Sequence, residues 1–273
     1  DTESISILIG EAERLRIPVL PPDVNESGSV FTIVGENKDT IRFGLSSIKN
    51  FGEGISEAIL AERTANGPFA SISDFLIRVG SRNLNKKSLE SLIKAGALDS
   101  FAERGALMEN IDRMLEFHRD ASKESSQDSL FGALAAPTLT LAPGGPMPIG
   151  QKLAAEKELL GIYVSGHPLD AHIATLERAK LTISAIKADP QKGRPVIIPA
   201  LVSEVRTVLT KSGEKMAFVK FEDKTDSIEG VIFPKLYREV GMQVDTGICL
   251  LLKATISDRN GEISLAIDNL KVL

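Results

Sequence analysis

Between Ala133 and Gly150 the chain carries Pro137, Pro143, Pro146 and Pro148 among alanines and glycines. Proline fixes φ and removes a backbone donor, so such a stretch reads as linker and whatever folds lies on either side of it. The two sides differ in period. Upstream, apolar residues recur at helical spacing, as in Leu89, Leu92 and Ile93 and again in Leu107, Ile111, Met114 and Leu115. From Val196 onward the pattern becomes β-branched and strand-like. The expected fold class is therefore multidomain α plus β, with a helical module, a linker and a β-barrel.

Ile5 to Arg16 reads as a helix that stops before Pro18, because proline disfavours helical geometry in the residue ahead of it. Pro18 to Pro22 is stiff and extended, and Phe31–Val34 with Thr40–Phe43 suits a hairpin. Leu45 to Leu60 then reads as helix, tight hairpin, helix, with Asn50-Phe51-Gly52-Glu53-Gly54 at the turn. Asn and Gly tolerate positive φ, and Phe51 would pin the two helices together. Backbone N–H groups of such a turn, opening a helix N-terminus, form an anion site. That makes Lys49, Asn50, Gly52 and Gly54 candidate phosphate contacts, although an αα-corner without a ligand has the same pattern. Ser71 and Asp74 have capping-box spacing, Leu84 to Ala95 is a helix that stops at Gly96, and a fourth helix ends near Phe117.

Downstream, Gln151–Leu160 and a segment near Asp170–Arg178 are helical. Strands are expected over Val196–Leu209, Met216–Phe221, Ile228–Phe233, Ile248–Ile256 and Ile263–Ile267, with a short helix from Pro234 to Val240. Five strands with a helix between the third and fourth is the order of an OB-fold barrel, whose face binds nucleic acid or sugars. Phe218 and Phe221 are three apart and point to opposite faces, so one belongs to the core and the other to a stacking surface. Arg206 and the turn flanked by Lys211 and Lys215 extend a basic path for single strands.

Net charge is −5, which gives no global nucleic-acid signature, yet basic residues cluster. Arg78, Arg82, Lys86, Lys87 and Lys94 face only Glu90 in one segment. Six cations face Glu204 and Glu214 between Gln191 and Lys220. Both clusters suit phosphate contact and both suit a solvated face. One cysteine, Cys249 in an apolar run, excludes a disulfide framework and fits a reducing compartment. With His118, His167 and His172 as the three histidines, no metal site is expected, and His167 ahead of Pro168 reads as a cap. No run is long enough for a membrane span and no signal peptide is present, so the expected location is cytoplasmic. Asp1 in place of Met suggests a fragment.

The peptide Gln127-Asp128-Ser129-Leu130-Phe131 precedes the proline-rich stretch. A Gln followed by an exposed Leu-Phe pair suits a short anchor, in which the amide bonds backbone and the two apolar side chains fill a pocket. A frayed helix end packed on its own domain fits as well.

Taken together, these segments resemble the C-terminal half of the bacterial DNA polymerase III alpha subunits. The resemblance rests on Ile17–Ser27, Ile48–Gly54, Leu84–Lys87 with Leu92–Asp99, Gln127–Phe131 and Leu160–Leu169, all in the family's order. It implies that residues 1–44 are the tail of the fingers and 45–120 a tandem helix-hairpin-helix domain that holds duplex DNA. It further implies that 121–150 is a linker with the clamp-binding motif, 151–194 a helical connector and 195–273 an OB domain near single-stranded template. Arg82, Lys86 and Lys87 become duplex contacts, and Gln127 to Phe131 the anchor for the beta sliding clamp. Other holoenzyme subunits are implied partners. The family's hairpin carries Gly-hydrophobic-Gly, and Asn50 stands in the first Gly place here. The family's catalytic palm, with its Mg2+, is expected upstream of Asp1, and no residue of this segment is expected to be catalytic or to hold a cofactor.

Three other readings compete. One is a free-standing adaptor that binds DNA and the clamp, and another is an error-prone paralogue of the alpha subunit. A DNA ligase also combines these modules, but the Lys-x-Asp-Gly motif it needs is absent from the sequence.

Overall fold

The computed structural model describes residues 8–9, 11–12, 15–80, 84–124, 137–179, 181–259 and 261–273. Arg82 and the peptide Gln127 to Phe131 lie outside them, as do parts of the helix expected over Ile5 to Arg16. The chain packs as two compact units, Asp1–Ser165 and Gly166–Leu273.

In the first unit, β2 (Thr32–Val34) and β3 (Thr40–Arg42) form the expected antiparallel hairpin. A strand that sequence did not predict, β1 (Val19–Leu20), lies parallel to β3 with Val19 opposite Ile41. It is an edge strand, where the flanking prolines cost no ladder bond. The carbonyls of Pro18 and Leu20 accept the N–H groups of Ile41 and Phe43 at 2.9 and 3.1 Å.

The helix-hairpin-helix expectation over residues 45–60 needs one correction. Leu45–Ser47 is a single turn of 3-10 helix, not an α-helix. Leu45 and Ile48 are both buried, and residues three apart share a face in either helix type, so their spacing did not separate the two. Asn50 then takes left-handed backbone at φ 62°, Phe51 is buried, and α1 (Glu53–Asn66) begins after Gly52.

α2 (Ile72–Arg78) starts at Ser71, whose hydroxyl accepts the Asp74 N–H at 3.1 Å. The Asp74 carboxylate reaches back to the Ala70 N–H rather than to that of the cap residue. α3 (Lys86–Ala95) opens on a reciprocal cap between Asn85 and Ser88 and closes on Gly96 at φ 88°. A Cβ on Gly96 would also lie 2.2 Å from the Arg104 guanidinium, so this position needs glycine twice over.

The single helix expected near Leu107–Phe117 is two, α4 (Arg104–Glu109) and α5 (Ile111–Glu124). Asn110 divides them. Its buried amide donates to the carbonyls of Ala106 and Ala142 at 2.8 and 3.0 Å, and its oxygen accepts the Ala142 N–H at 2.8 Å. Leu107 and Ile111 are four apart, so the apolar period runs through the break unmarked.

Residues 137–148 form neither helix nor strand, yet they are tied down along their length. The Leu139 N–H donates to the Ser73 hydroxyl at 2.9 Å, Ala142 is held by Asn110, and the Met147 N–H donates to the Glu103 carboxylate at 3.1 Å. Leu139 and Leu141 pack on the core, and α6 (Ile149–Leu160) follows. That core joins Val24 and Phe43 to the helices and to Leu159, Leu160 and Ile162. Each such side chain, when fully buried, contributes about 1.5–3 kcal/mol.

In the second unit, His167 caps a 3-10 turn at Pro168–His172, accepting the Leu169 N–H at 3.2 Å on Nδ1. Burial holds its pKa below the ordinary imidazole value. α7 (Ile173–Arg178) and α8 (Ile183–Ala188) follow, the latter burying Ile183 and Ile186 against the barrel.

The barrel strands are β4 (Pro195–Leu209), β5 (Lys215–Glu222), β6 (Ser227–Ile232), β7 (Cys249–Arg259) and β8 (Glu262–Val272). They close in the order β4-β5-β6-β8-β7, with β6 and β8 parallel and the other pairs antiparallel. α9 (Pro234–Val240) lies between β6 and β7, completing the OB order that the sequence predicts. β4 spans 15 residues because its first half pairs with β7 and its second with β5. Cys249 is buried on β7, and burial pushes its thiol up to about 11.

Candidate nucleic-acid interface

The outer face of β4, β5 and β6 carries the most developed surface of the barrel. β5 alternates strictly, so Ala217, Val219 and Phe221 point inward while Met216, Phe218 and Lys220 point outward. Phe221 is fully buried, which removes it from the stacking candidates and leaves Phe218. On β4 the parity changes. Val196, Ile198, Ala200 and Val202 are buried, but a bulge between Val202 and Glu204 shifts the register and turns the next even positions outward. Glu204 and Arg206 reach the outer face through that shift.

Across the strands two rows result. Arg206, Phe218 and Val231 are register neighbours, and the Arg206 guanidinium carbon lies 5.1 Å from the Phe218 ring centroid. That is within cation–π range. One step along, Lys220 lies between Glu204 and Glu229. The groove over these rows has a volume of about 590 Å³ and is also lined by Lys187, Glu262 and Ile263. Its cations, Lys187, Arg206 and Lys220, are matched by Glu204, Glu229 and Glu262. Lys187 is also paired with Asp226 at 2.8 Å.

Lys211 and Lys215, also anticipated on this path, are exposed at the β4–β5 turn and do not line the groove. That turn is closed by the Thr210 N–H on the Glu214 carbonyl at 2.8 Å, with Gly213 at φ 80°. The groove carboxylates were not singled out from sequence. The signal for Glu229 was its place next to inward Ile228 in an alternating strand; Glu204 depends on a bulge that leaves no such mark.

In the first unit the candidates occupy two elements. Lys49 and Asn50 are exposed, and the Lys49 N–H donates to the Leu159 carbonyl at 2.9 Å, which fixes the turn. Gly52 takes extended backbone at φ −70° and caps α1 without a side chain. Gly54 is exposed in the first turn of α1. A helix start capped only by glycine keeps its positive end open to an anion. Lys86 and Lys87 are exposed in the first turn of α3, and Lys86 pairs with Asp112 at 2.9 Å. The hydrogen bond and charge of Asp112 raise the Lys86 pKa.

Comparison with known proteins follows this layout. Residues 16–107 match the helix-hairpin-helix motif family, and residues 196–273 match the OB-fold nucleic acid binding domain family. The DNA polymerase III subunit alpha of Thermus aquaticus is 39% identical over 260 residues, which is 94% of this chain and 21% of that protein. The chain is homologous to a segment of DNA polymerase III alpha subunits. The alpha subunit of Bacillus subtilis is 33% identical over 276 residues, covering 99% of this chain and 24% of its own length. That of Mycobacterium tuberculosis is 32% identical over 284 residues, again 24% of its length. The chain therefore spans about a fifth to a quarter of these relatives, less than the half that its motifs had suggested. Among the described residues no group of three His, Cys, Asp or Glu could hold a metal ion.

Proposed function

We propose that this chain is the DNA-handling and clamp-tethering part of a replicative DNA polymerase and supports processive DNA-templated synthesis. The observation that carries this reading is its similarity to alpha subunits along 94% of its length. In this reading the first unit holds duplex DNA through phosphates, using the Asn50 turn, the start of α1 and the basic first turn of α3. The barrel takes single-stranded template on its outer face. Gln127 to Phe131 anchors a beta sliding clamp, and other holoenzyme subunits assemble with the polymerase of which this is a part. Nucleotidyl transfer, with Mg2+, belongs to the palm of that polymerase. Its place is the cytoplasm; among the described residues no helix is long and apolar enough to cross a membrane.

The test is a titration of the chain, intact and with Leu130→Ala and Phe131→Ala together, against a bacterial sliding clamp and against duplex and single-stranded oligonucleotides. Two anchor side chains lost from a pocket should cost on the order of 2 kcal/mol each, while DNA binding and thermal melting stay unchanged. Clamp affinity equal to that of the intact chain rejects the tether. Failure to bind either form of DNA rejects the DNA-handling role.

A further inference from the structure

The barrel groove does not have the character of a phosphate track. Its three cations are balanced by three carboxylates, Lys220 has a glutamate on each side in register, and Lys187 is taken by Asp226. A polyanion laid along this floor would meet as much repulsion as attraction. What the floor does offer is a flat apolar and delocalised surface, Phe218 with the Arg206 guanidinium above it. Neither register neighbour of Phe218, Arg206 on one side and Val231 on the other, is a carboxylate.

We propose that Arg206, supported from beneath by Phe218, is a stacking plane for an unpaired nucleobase and not a phosphate ligand. Guanidinium planes and aromatic rings both stack with bases, and here the Arg206 guanidinium stands over the Phe218 ring with its carbon 5.1 Å from the centroid. The bulge at Ser203 has a part in this, since without the register shift Arg206 would point into the barrel. The strand would then run with its bases inward on the Arg206–Phe218 row and its phosphates outward, in reach of Lys211, exposed on the β4–β5 turn.

This rests on the reading of the barrel as a single-strand site, and the test keeps the two apart. The full chain is titrated with a fluorescent single-stranded oligothymidylate and with an abasic oligomer of the same length, across a salt series. The variants are Arg206→Lys, Arg206→Ala and Lys211→Ala. Lysine keeps the charge and loses the plane, so Arg206→Lys should weaken oligothymidylate binding about tenfold, nearly as much as Arg206→Ala. It should leave the salt slope and the abasic affinity unchanged, whereas Lys211→Ala should flatten the slope by about one counterion. Arg206 is exposed, so these variants test the surface and not the fold. Wild-type affinity in Arg206→Lys, with a loss in Arg206→Ala, would make Arg206 a phosphate ligand and overturn the proposal. Wild-type affinity in both variants removes Arg206 from the site. Absence of any oligothymidylate binding by the unaltered chain overturns the single-strand reading itself, and the proposal with it.

Discussion

Arg104 and Glu156 lie 52 positions apart and meet at 2.8 Å with both side chains shielded from water. The other edge of the guanidinium is held by Asp99 at 2.9–3.1 Å. Glu156 in turn accepts the N–H groups of Val164 and Ser165, both at 2.9 Å, and the Ser165 hydroxyl. Burial works against the charge on Arg104, and the two carboxylates more than offset it, so its pKa is raised. The pair fastens α4 to α6.

Removing one partner strands the other. Arg104→Met should destabilise the first unit by about 3–5 kcal/mol, because the fully buried Glu156 carboxylate loses its cation. Arg104→Met with Glu156→Leu should lose far less, because no buried charge is then left uncompensated. Denaturant unfolding followed by circular dichroism measures both. A loss below about 1 kcal/mol in the single variant would mean that water reaches the stranded carboxylate.

In the barrel, Phe221→Ala should cost about 3–5 kcal/mol, since a buried aromatic leaves a cavity. Phe218→Ala, on the outer face, should cost about 1 kcal/mol or less. Gly230→Ala provides a second check on the packing of Phe221. The added Cβ would lie 2.6 Å from that ring, and such overpacking costs about 1–3 kcal/mol. Equal melting of the Phe218→Ala and Phe221→Ala variants would contradict the register of β5.

Duplex binding should depend on salt through Lys86 and Lys87. The double alanine variant should flatten the slope of log affinity against log salt by about one to two counterions. Asp112→Asn releases Lys86 from its ion pair and should strengthen duplex binding. If neither variant moves the slope, the first turn of α3 is a solvated face.

Glu103 ties pH to the docking of residues 137–148. Burial opposes its ionisation, but the N–H groups of Gly105 and Met147 and the Lys152 ammonium outweigh that, so its pKa lies below the ordinary value. A depressed carboxylate contributes stability that is fully present above its unfolded pKa of about 4.3 and is lost as pH falls through the lower folded value. The Met147 amide shift, followed by NMR from about pH 6 to 3, should titrate with a midpoint below the ordinary glutamate value, and Glu103→Gln should abolish the transition. A midpoint at or above that value would mean that the Glu103–Met147 bond does not form.

Local chemistry was legible. Asn50 and Gly96 adopt the left-handed backbone that Asn and Gly tolerate, Ser71 caps its helix, and the barrel strands follow from alternation. What escaped has a nonlocal cause. β1 exists because β3 offers it a ladder, and two residues between prolines carry no period of their own. The bulge at Ser203 changes parity by a single position, which no composition marks, so the carboxylate of Glu204 beside Arg206 on the outer face was not legible. Asn110 breaks a helix by bonding Ala142, distant in sequence. The neutral floor of the groove depends on which residues stand side by side across β4, β5 and β6, and register is not written in any one strand.

The bonds from Ser73, Asn110 and Glu103 to residues 137–148 have a mechanical consequence. The chain leaves α5 at Glu124 and is fastened again to the same body from Leu139 onward. A tail free at one end must surrender the whole of its wandering when a partner grips it, whereas a short loop closed by its own fold has surrendered most of that already. On the proposed clamp role, a pull on the chain between Glu124 and Leu139 would be borne both by α5 and by the Ser73 and Asn110 bonds. Cutting those two bonds would lengthen the free span while leaving the Gln127–Phe131 sequence unchanged.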